Sequence, residues 1–235
     1  NSATGVVTGH RSNITTSTTN HTAGTIAAYR ANITSLAGDT GGDFVGLHIA
    51  SSSPSLAATT ATASKTYDVA IAGRLAYLAD YDNGLRIVDI SNPKSPTAIS
   101  AYTTGLDNTV AVAVSGKYAY IGDEADGIQI IDVSNPGTPT LVGSYTALTF
   151  SYDLAVSGKY VYALDYNDSE LHIIDVSNPA SPVAASVYTT GLSNPYAVVV
   201  QGKYAYIGNQ GNGDVVVIDI SNPKAPSREG TYASG

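Results

Sequence analysis

The stretch VDISNPKSP at residues 88–96 decides the fold, because it returns three more times along the chain. The other copies are IDVSNPGTP at 131–139, IDVSNPASP at 174–182 and IDISNPKAP at 218–226, so that successive copies lie 43, 43 and 44 residues apart. A second series, AGRLAY, SGKYAY, SGKYVY and QGKYAY, keeps the same phase. Two landmarks that share one spacing indicate a tandem repeat.

Each repeat has the pattern of four short β-strands. In the second repeat an apolar run begins at Val110, a turn centred on Gly116 follows, and a Tyr-rich segment forms the second strand. An acidic turn leads into GIQIIDV, and the Ser-Asn-Pro corner then ends the third strand, because proline lacks the N–H that a ladder needs. The fourth strand is expected to contain Tyr145. We place the four units at 67–109, 110–151, 152–195 and 196–235.

The apolar character of the first and third strands indicates how the units pack. Nearly continuous apolar strands are typical of a sheet that is covered on both faces. In a propeller each blade packs between two neighbours, and a repeat of about 40–45 residues with four strands has the length of one blade. The sequence therefore predicts an all-β fold, a propeller-like array of four four-stranded blades over residues 67–235.

The repeat unit resembles the LVIVD-repeat family of β-propeller surface proteins. The run LRIVDISNP at 85–93 carries the resemblance, together with the equivalent runs at 128–136, 171–179 and 215–223. The resemblance implies a blade fold and, as a broad expectation, an accessory or adhesive role in a secreted protein. Such propellers usually close with more blades. We therefore expect either a small four-bladed ring or an open array that other chain segments or other subunits complete.

Residues 1–66 form a Ser/Thr-rich N-terminal segment of a different character. Apolar residues at helical spacing predict a short helix between residues 26 and 36, and FVGLHI at 44–49 predicts a strand that weakly echoes a partial blade. A disordered, glycosylated stalk is the alternative. The early TGVVT stretch is β-prone, and a strand donated to a neighbour's open edge would place this segment in an assembly contact. The assembly candidates are Thr4, Gly5, Val6, Val7 and Thr8.

Composition excludes several classes of function. The chain has no Cys, which removes disulfides, zinc–thiolate sites and thiol catalysis. The net charge of −8 lies entirely in the repeats, because residues 1–64 carry two Arg against two Asp. An acidic domain without a basic stripe argues against binding to nucleic acid or to an anionic membrane surface. No apolar run approaches the roughly 20 residues that span a bilayer, so we expect a soluble chain without membrane insertion.

The residue content also suggests a compartment. The chain contains no Met, so we expect that it has been processed or is part of a longer gene product. Removal of a secretory signal would fit a start at Asn1. Only 13% of the residues are charged, while Ser, Thr, Gly and Tyr are abundant, as is typical of secreted surface proteins. We therefore expect an extracellular or cell-surface location.

Acidic residues recur in the turn between the second and third strands of the repeats. Calcium takes roughly six to eight oxygen ligands, and carboxylates that share one rim would supply some of them. Turn chemistry is the alternative, because Asp, Asn and Gly are the residues that tight turns require. Calcium is thus the one cofactor candidate. Its candidate ligands are Asp80, Asp82, Asp123, Asp126, Asp165 and Asp168.

Other sequence features point to structure and modification, and not to catalysis. The aspartate before each Ser-Asn-Pro corner recurs in every copy, so we expect it to hold the corner in place. The four His residues show no metal-ligand spacing, and neither a G-x-S-x-G elbow nor a phosphate-binding loop is present, so we expect no enzyme. N-x-S/T triplets mark candidate glycosylation sites. These lie at Asn13, Asn20, Asn32 and Asn167.

Two functions follow as hypotheses. The first is a secreted or cell-surface structural protein that assembles with copies of itself into an extracellular filament or layer, by strand exchange and blade packing. The alternative is an adhesion module that binds a glycan or a surface protein and carries a glycosylated N-terminal stalk. Polymerisation that depends on concentration favours the first hypothesis, and a monomer that retains ligand affinity favours the second.

Overall fold

The structure is a computed structural model that describes residues 3–9, 12–18 and 65–233. These residues form eighteen β-strands. Within them there is no helix long and apolar enough to cross a membrane. The short helix expected between residues 26 and 36 and the strand expected at 44–49 lie outside the described residues.

A hairpin lies near the N terminus. Strand β1 (Ala3–Gly9) pairs antiparallel with β2 (Ser12–Thr18), and Val6 lies opposite Thr15 in the ladder. The chain divides into two compact units, Asn1–Ser55 and Leu56–Gly235, and the hairpin belongs to the first. The β-prone stretch at 4–8 is therefore a strand, and its partner in the structure is β2.

Four antiparallel sheets of four strands make up the second unit, and each sheet follows the chain order of its strands. We call them blades 1 to 4. Blade 1 consists of β3 (Thr66–Ala72), β4 (Leu75–Asp80), β5 (Gly84–Asp89) and β6 (Thr97–Tyr102). Blade 2 consists of β7 (Thr109–Ser115), β8 (Tyr118–Asp123), β9 (Gly127–Asp132) and β10 (Thr140–Tyr145). Blade 3 consists of β11 (Ser151–Ser157), β12 (Tyr160–Asp165), β13 (Glu170–Asp175) and β14 (Val183–Tyr188). Blade 4 consists of β15 (Pro195–Gln201), β16 (Tyr204–Asn209), β17 (Asp214–Asp219) and β18 (Ser227–Ala233).

The repeated sequence explains the blade geometry. The glycine after each first strand has a positive φ, as at Gly116 (φ 60°), which suits the tight turn into the second strand. The Tyr-rich second strand occupies the middle of the ladder between the first and third strands. Each third strand then ends before a Ser-Asn-Pro corner, where Ser134 donates its backbone N–H to Asp132 Oδ1 (2.9 Å).

Apolar side chains from neighbouring blades meet in three separate clusters. Blades 1 and 2 bury Leu85 and Ile87 against Ile121 and Ile131, and all four side chains are 0% exposed. Similar clusters join blade 2 to blade 3 and blade 3 to blade 4. Both faces of blades 2 and 3 are therefore covered, which confirms the interpretation of their strands as blades of a propeller-like array.

The first strands of the blades lie side by side. Strand β3 contacts β7, β7 contacts β11, and β11 contacts β15. Among the described strands, β15 and β3 form no contact of comparable extent. Blades 1 and 4 are thus the two ends of the array, and each has one face that is not packed against a neighbouring blade.

Candidate functional site

The acidic turns hold buried carboxylates at the ends of the second strands. Asp80, Asp123 and Asp165 are fully buried, at 0% exposure. Asp123 Oδ1 accepts the backbone N–H groups of Ala125 (3.0 Å) and Asp126 (3.3 Å) in the turn, and Asp165 Oδ1 accepts two N–H groups in the same way. Backbone N–H groups without partners are costly when buried, so these carboxylates stabilise the turns that follow them.

Asp80 differs in its partner. The Nε of Arg86 lies 3.1 Å from Asp80 Oδ2, which makes an ion pair with one fully buried member. The equivalent of Arg86 in blade 3 is His172, which is buried and lies 2.9 Å from Glu170 and 3.1 Å from the Tyr145 hydroxyl. The same position holds Gln129 in blade 2 and the apolar Val216 in blade 4, so its side chain and its partners differ from blade to blade.

The remaining calcium candidates lie in the turns themselves. Asp168 Oδ2 accepts a hydrogen bond from the Thr149 hydroxyl (3.0 Å), while Asp82 and Asp126 lie in the turns of blades 1 and 2. In the described part of the chain no three His, Cys, Asp or Glu residues are grouped so that they would hold a metal ion. The bonds above are the turn chemistry that the sequence offered as the alternative, and calcium binding stays a prediction.

The corner aspartates are partly buried and hold the Ser-Asn-Pro corners. In blades 2 to 4 a lysine bonds the second oxygen, at 3.2 Å from Lys117 to Asp132, for example. The serine after the aspartate, and to a smaller extent the lysine, lower the pKa of Asp132, Asp175 and Asp219 to about 2. The recurring aspartate therefore has the structural role that its repetition predicted.

The sequence did not predict the role of two carboxylates in the first strands of blades 1 and 3. Asp68 Oδ2 accepts the N–H of Val112 (2.8 Å), and Asp153 Oδ2 accepts the N–H of Val198 (2.7 Å), so each bond reaches the next blade. Burial raises the pKa of Asp153 to about 6, and the charge of Asp68 adds to the rise. The signal was a Tyr-Asp pair in two of four otherwise apolar strands, but only the structure shows which face the carboxylate takes.

Aromatic side chains gather at the start of the first strand in blade 3. Tyr152 lies 4.3 Å from Tyr196, 5.4 Å from Tyr166 and 5.9 Å from Phe150, measured between ring centroids. Burial and a hydrogen bond with Tyr196 raise the pKa of the Tyr152 hydroxyl. Tyr196 remains 45% exposed. The cluster offers a partly exposed aromatic surface of the kind that packs on apolar faces of ligands.

The two end faces of the array expose side chains whose equivalents are buried elsewhere. We define the forward face of a blade as the one toward the next blade in the chain, and the backward face as the opposite one. On the backward face of blade 1, Val69 is 54% exposed, whereas its equivalents Val112, Leu154 and Val198 are 4 to 5% exposed. Ile71, on the same face, is 66% exposed.

The forward face of blade 4 shows the same contrast. Tyr206 is 37% exposed, whereas Tyr77, Tyr120 and Tyr162 at the same position are 3 to 4% exposed. Val199 (63%) and Val215 (38%) complete an apolar surface on this face. The exposed side chains are apolar at both ends, so a partner that covers them would gain free energy from burial.

The other sequence candidates are placed as follows. Asn167 is exposed in the turn of blade 3, within reach of modifying enzymes. Asn13 lies in β2, while Asn20 and Asn32 fall outside the described residues. The assembly candidates at 4–8 lie in β1. Glycosylation and strand donation both stay predictions.

Comparison with solved structures identifies β-propellers as neighbours. A functionally unknown protein from Desulfotomaculum acetoxidans is 10% identical with a TM-score of 0.63, over 75% of this chain and 58% of that one. The periplasmic gluconolactonase PpgL of Pseudomonas aeruginosa is 16% identical with a TM-score of 0.64, over 76% and 60%. The computationally designed Ika4 protein is 13% identical with a TM-score of 0.57, over 71% and 98%. At these identities the likeness shows the fold alone.

The chain spans less than two thirds of the length of the two natural proteins among these neighbours. A comparison with curated protein sequences finds no match. The LVIVD repeat, in contrast, matches residues 63–104, 108–147, 151–190 and 196–234. These four segments coincide with the four blades and carry the corner motif that the sequence repeats. The chain belongs to the LVIVD-repeat family.

Proposed function

We propose that this protein is an extracellular structural protein that associates with copies of itself into a filament or layer and catalyses no reaction. One observation supports this proposal above the others. Positions of the repeat that are buried between neighbouring blades carry exposed apolar side chains on the two end faces of the array. Monomeric soluble proteins seldom leave continuous apolar faces uncovered, and such faces usually bind a partner.

The two ends are different surfaces, and this determines the kind of assembly. A contact between the forward face of one copy and the backward face of another is head-to-tail. Head-to-tail contacts close into a ring when the rotation between copies fits, and they otherwise continue as a fibre. A protein with two unlike apolar ends therefore has the geometry of a building block.

Strand exchange is a second element of the proposal. A two-stranded hairpin is marginally stable by itself in water, because it lacks a third strand or a packed face. Among the described strands β1 and β2 pair only with each other, and a strand from another copy would pair with one of their outer edges. The segment Thr4–Thr8 would then connect copies in addition to the blade faces.

Light scattering across a dilution series, with negative-stain electron microscopy of the same samples, tests the proposal. We expect the mass to rise with concentration and the images to show regular fibres, sheets or rings. A monomer at every concentration would contradict self-assembly. The variant Val7→Pro removes a backbone N–H from β1 and measures the contribution of strand exchange separately.

Adhesion to a glycan is the second candidate, and the aromatic cluster around Tyr152 favours it. Tyr152 and Tyr196 lie 4.3 Å apart, and Tyr196 is 45% exposed, so their rings offer a surface for the apolar face of a sugar. A glycan-binding screen with the wild type and with Tyr196→Ala tests this function. Binding that Tyr196→Ala abolishes, in a protein that stays monomeric, would replace the structural proposal.

The structural likeness to the gluconolactonase from Pseudomonas aeruginosa raises the question of an enzymatic function. That protein is 16% identical to this chain, which is too little to transfer an activity. Our proposal includes no turnover. A lactone hydrolysis assay provides the check, and activity that the purified chain shows and that Asp153→Asn removes would contradict the proposal.

A further inference from the structure

The contacts of blade 1 with 2, blade 2 with 3 and blade 3 with 4 are of two kinds. One position of the fourth strand, which holds either serine or glycine, distinguishes them. Ser100 Oγ in blade 1 donates to the carbonyl of Pro136 in blade 2 (2.6 Å), and Ser186 Oγ in blade 3 donates to Pro223 in blade 4 (2.7 Å). Blade 2 has Gly143 at this position. A Cβ added to Gly143 would overlap the Pro179 carbonyl of blade 3, so the backbones there approach more closely than a side chain permits.

Other contacts alternate in the same way. The Tyr81 hydroxyl of blade 1 donates to Glu124 of blade 2 (2.9 Å), and the Tyr166 hydroxyl of blade 3 donates to Gln210 of blade 4 (2.6 Å). The bonds from Asp68 to blade 2 and from Asp153 to blade 4 follow this alternation. Blades 1 and 2 thus form one polar pair and blades 3 and 4 form another.

The contact between the two pairs includes a hydrogen bond between the Tyr145 hydroxyl and His172 Nδ1 (3.1 Å), and it is built around small residues. Blade 2 has Ala111 where blades 1 and 3 have aspartate, and it has Gly122 beside it on the second strand. A Cβ on Gly122 would lie 2.8 Å from Ser151 Oγ and 3.4 Å from Leu154 Cδ2, so blade 3 fills the space that the missing side chain leaves. We call this the glycine-type contact, between the forward face of blade 2 and the backward face of blade 3.

The forward face of blade 4 carries the same small residues with no blade against them. Ala197, Gly208 and Gly230 stand at the positions of Ala111, Gly122 and Gly143. A Cβ on Gly230 would meet nothing within 4 Å, and one on Gly208 would meet only Ala197 Cβ, at 3.9 Å. The forward face of blade 4 therefore has the small residues of a glycine-type contact, and the space beside them is not filled by another blade.

The backward face of blade 1 fits either kind of contact, so the forward face of blade 4 decides which kind forms. Thr66, Val69 and Pro93 stand at the positions of Ser151, Leu154 and Pro179, which fill the glycine-type contact in blade 3, and blade 2 has the same Thr, Val and Pro on its polar contact with blade 1. Charge at the border agrees with this match. Glu229 precedes Gly230 on one end and Lys94 follows Pro93 on the other, both exposed, so repeat equivalence brings opposite charges to the same edge.

We propose that the forward face of blade 4 binds the backward face of blade 1 of a second copy of this chain, and that it forms the glycine-type contact seen between blades 2 and 3. This inference rests on the self-assembly proposed above and assigns its surface. Every fourth contact along the assembly then occurs between copies, and the alternation of polar and glycine-type contacts continues without interruption. The assembly is a continuous propeller-like array with one polarity.

Two blocking variants test the surface, one at each end. Gly230→Leu fills the space that Pro93 of the second copy would occupy, and Val69→Asp puts a charge on the other face. The folded monomer tolerates both, because Gly230 has no neighbour within 4 Å and Val69 is 54% exposed. Gly137→Leu is the matched control, since a Cβ there meets only Asn135 Oδ1, at 3.5 Å. Circular dichroism and the midpoint of thermal unfolding check the fold of each variant.

The expected result is that the wild type and Gly137→Leu assemble, whereas Gly230→Leu and Val69→Asp each lose at least about tenfold in self-affinity, because overpacking or a buried charge costs more than about 1.4 kcal/mol. A mixture of the two blocked variants restores one good contact, so it should form a 1:1 dimer and nothing larger. If Gly230→Leu does not fold, Val199→Asp on the same face replaces it.

The failures are distinguishable. If the wild type assembles and both blocked variants assemble equally well, the inference is wrong, while self-assembly stands through another surface such as the β1–β2 hairpin. If the wild type stays monomeric at every concentration, the proposed function fails and the inference fails with it. A mixture that gives no dimer, although each variant is folded, also overturns the inference.

Discussion

The buried carboxylate of Asp153 makes the stability of this fold depend on pH in a direction opposite to that of most carboxylates. Burial raises the pKa of Asp153 from 3.8 to about 6, even though the N–H groups of Val198 and Leu154 bond the carboxylate and oppose the rise. The folded state thus holds the proton more tightly than the unfolded state does. Asp153 therefore contributes stability that is fully present below about pH 4 and is lost as the pH rises through about 6.

The magnitude follows from the size of the shift. A pKa difference of about two units corresponds to about 3 kcal/mol, at about 1.4 kcal/mol for each unit. The corner aspartates act in the opposite direction and mostly at lower pH: their pKa values are lowered to about 2, so their contribution is lost progressively below about pH 5, and it cancels when the wild type is compared with a variant at Asp153. We expect the free energy of unfolding to fall by about 2.5 kcal/mol between pH 4 and pH 7 through Asp153 alone, because the unfolded carboxyl is already more than half ionised at pH 4.

The assay is urea unfolding of the wild type and of Asp153→Asn at a series of pH values, below the concentration of assembly. The amide stays neutral, so the difference between the two proteins isolates the titration of Asp153. We expect Asp153→Asn to gain about 2.5 kcal/mol relative to the wild type between pH 4 and pH 7. A difference that does not change with pH would refute the reasoning.

A second variant checks the cause. The charge of Asp68 raises the pKa of Asp153, so Asp68→Asn is expected to move the midpoint of this pH dependence to a lower pH. Carboxyl ¹³C chemical shifts of Asp153 would follow the same titration directly. A midpoint that stays in place in Asp68→Asn would show that burial, and not the neighbouring charge, accounts for the whole shift.

Two further predictions concern packing and the turns. Gly143→Ser should cost about 1–3 kcal/mol, because its Cβ would overlap the Pro179 carbonyl, although serine is the native residue at this position in blades 1 and 3. An unchanged urea midpoint in this variant would contradict the close approach of blades 2 and 3. Asp123→Ala should cost about 1–3 kcal/mol, because it leaves the turn N–H groups of blade 2 without their acceptor. Hydrogen exchange of the Ala125 amide is the direct measurement, and unaltered protection would count against the bond.

The blade fold was predictable because every local signal agrees with the others. The Gly turns, the Tyr-rich strands and the Ser-Asn-Pro corners repeat in one phase, and the fourth strand of the second repeat, β10, contains the expected Tyr145. Apolar first and third strands indicated blades that are covered on both faces. This held for blades 2 and 3, whose clusters lie on both sides, and it could not apply to the outer faces of blades 1 and 4.

The end faces of the array were harder to predict from the sequence, for a physical reason. The alternation of serine and glycine at residues 100, 143, 186 and 230 is visible in the sequence. Its effect on the contacts between blades depends on which part of the next blade lies opposite. A repeat is recognised by the residues that all copies share, whereas the contacts between these blades depend on residues that differ between the copies. The same applies to Asp68 and Asp153, whose bonds cross to another blade.

The blade pair, and not the single blade, is the unit of this array, and that choice explains why its ends can stay open in a free chain. Within a pair the partly buried carboxylate of Asp68 or Asp153 has its N–H donor in the same chain, at Val112 or Val198. A boundary inside a pair would instead expose such a carboxylate on the end face, and a second copy that bound there would have to remove the charge from water. A boundary between pairs exposes mainly apolar and small side chains, such as Val199 and Gly230, whose exposure costs a hydrophobic free energy that is regained when a second copy binds. An array of whole pairs is therefore stable enough to exist alone and still gains free energy by extending itself.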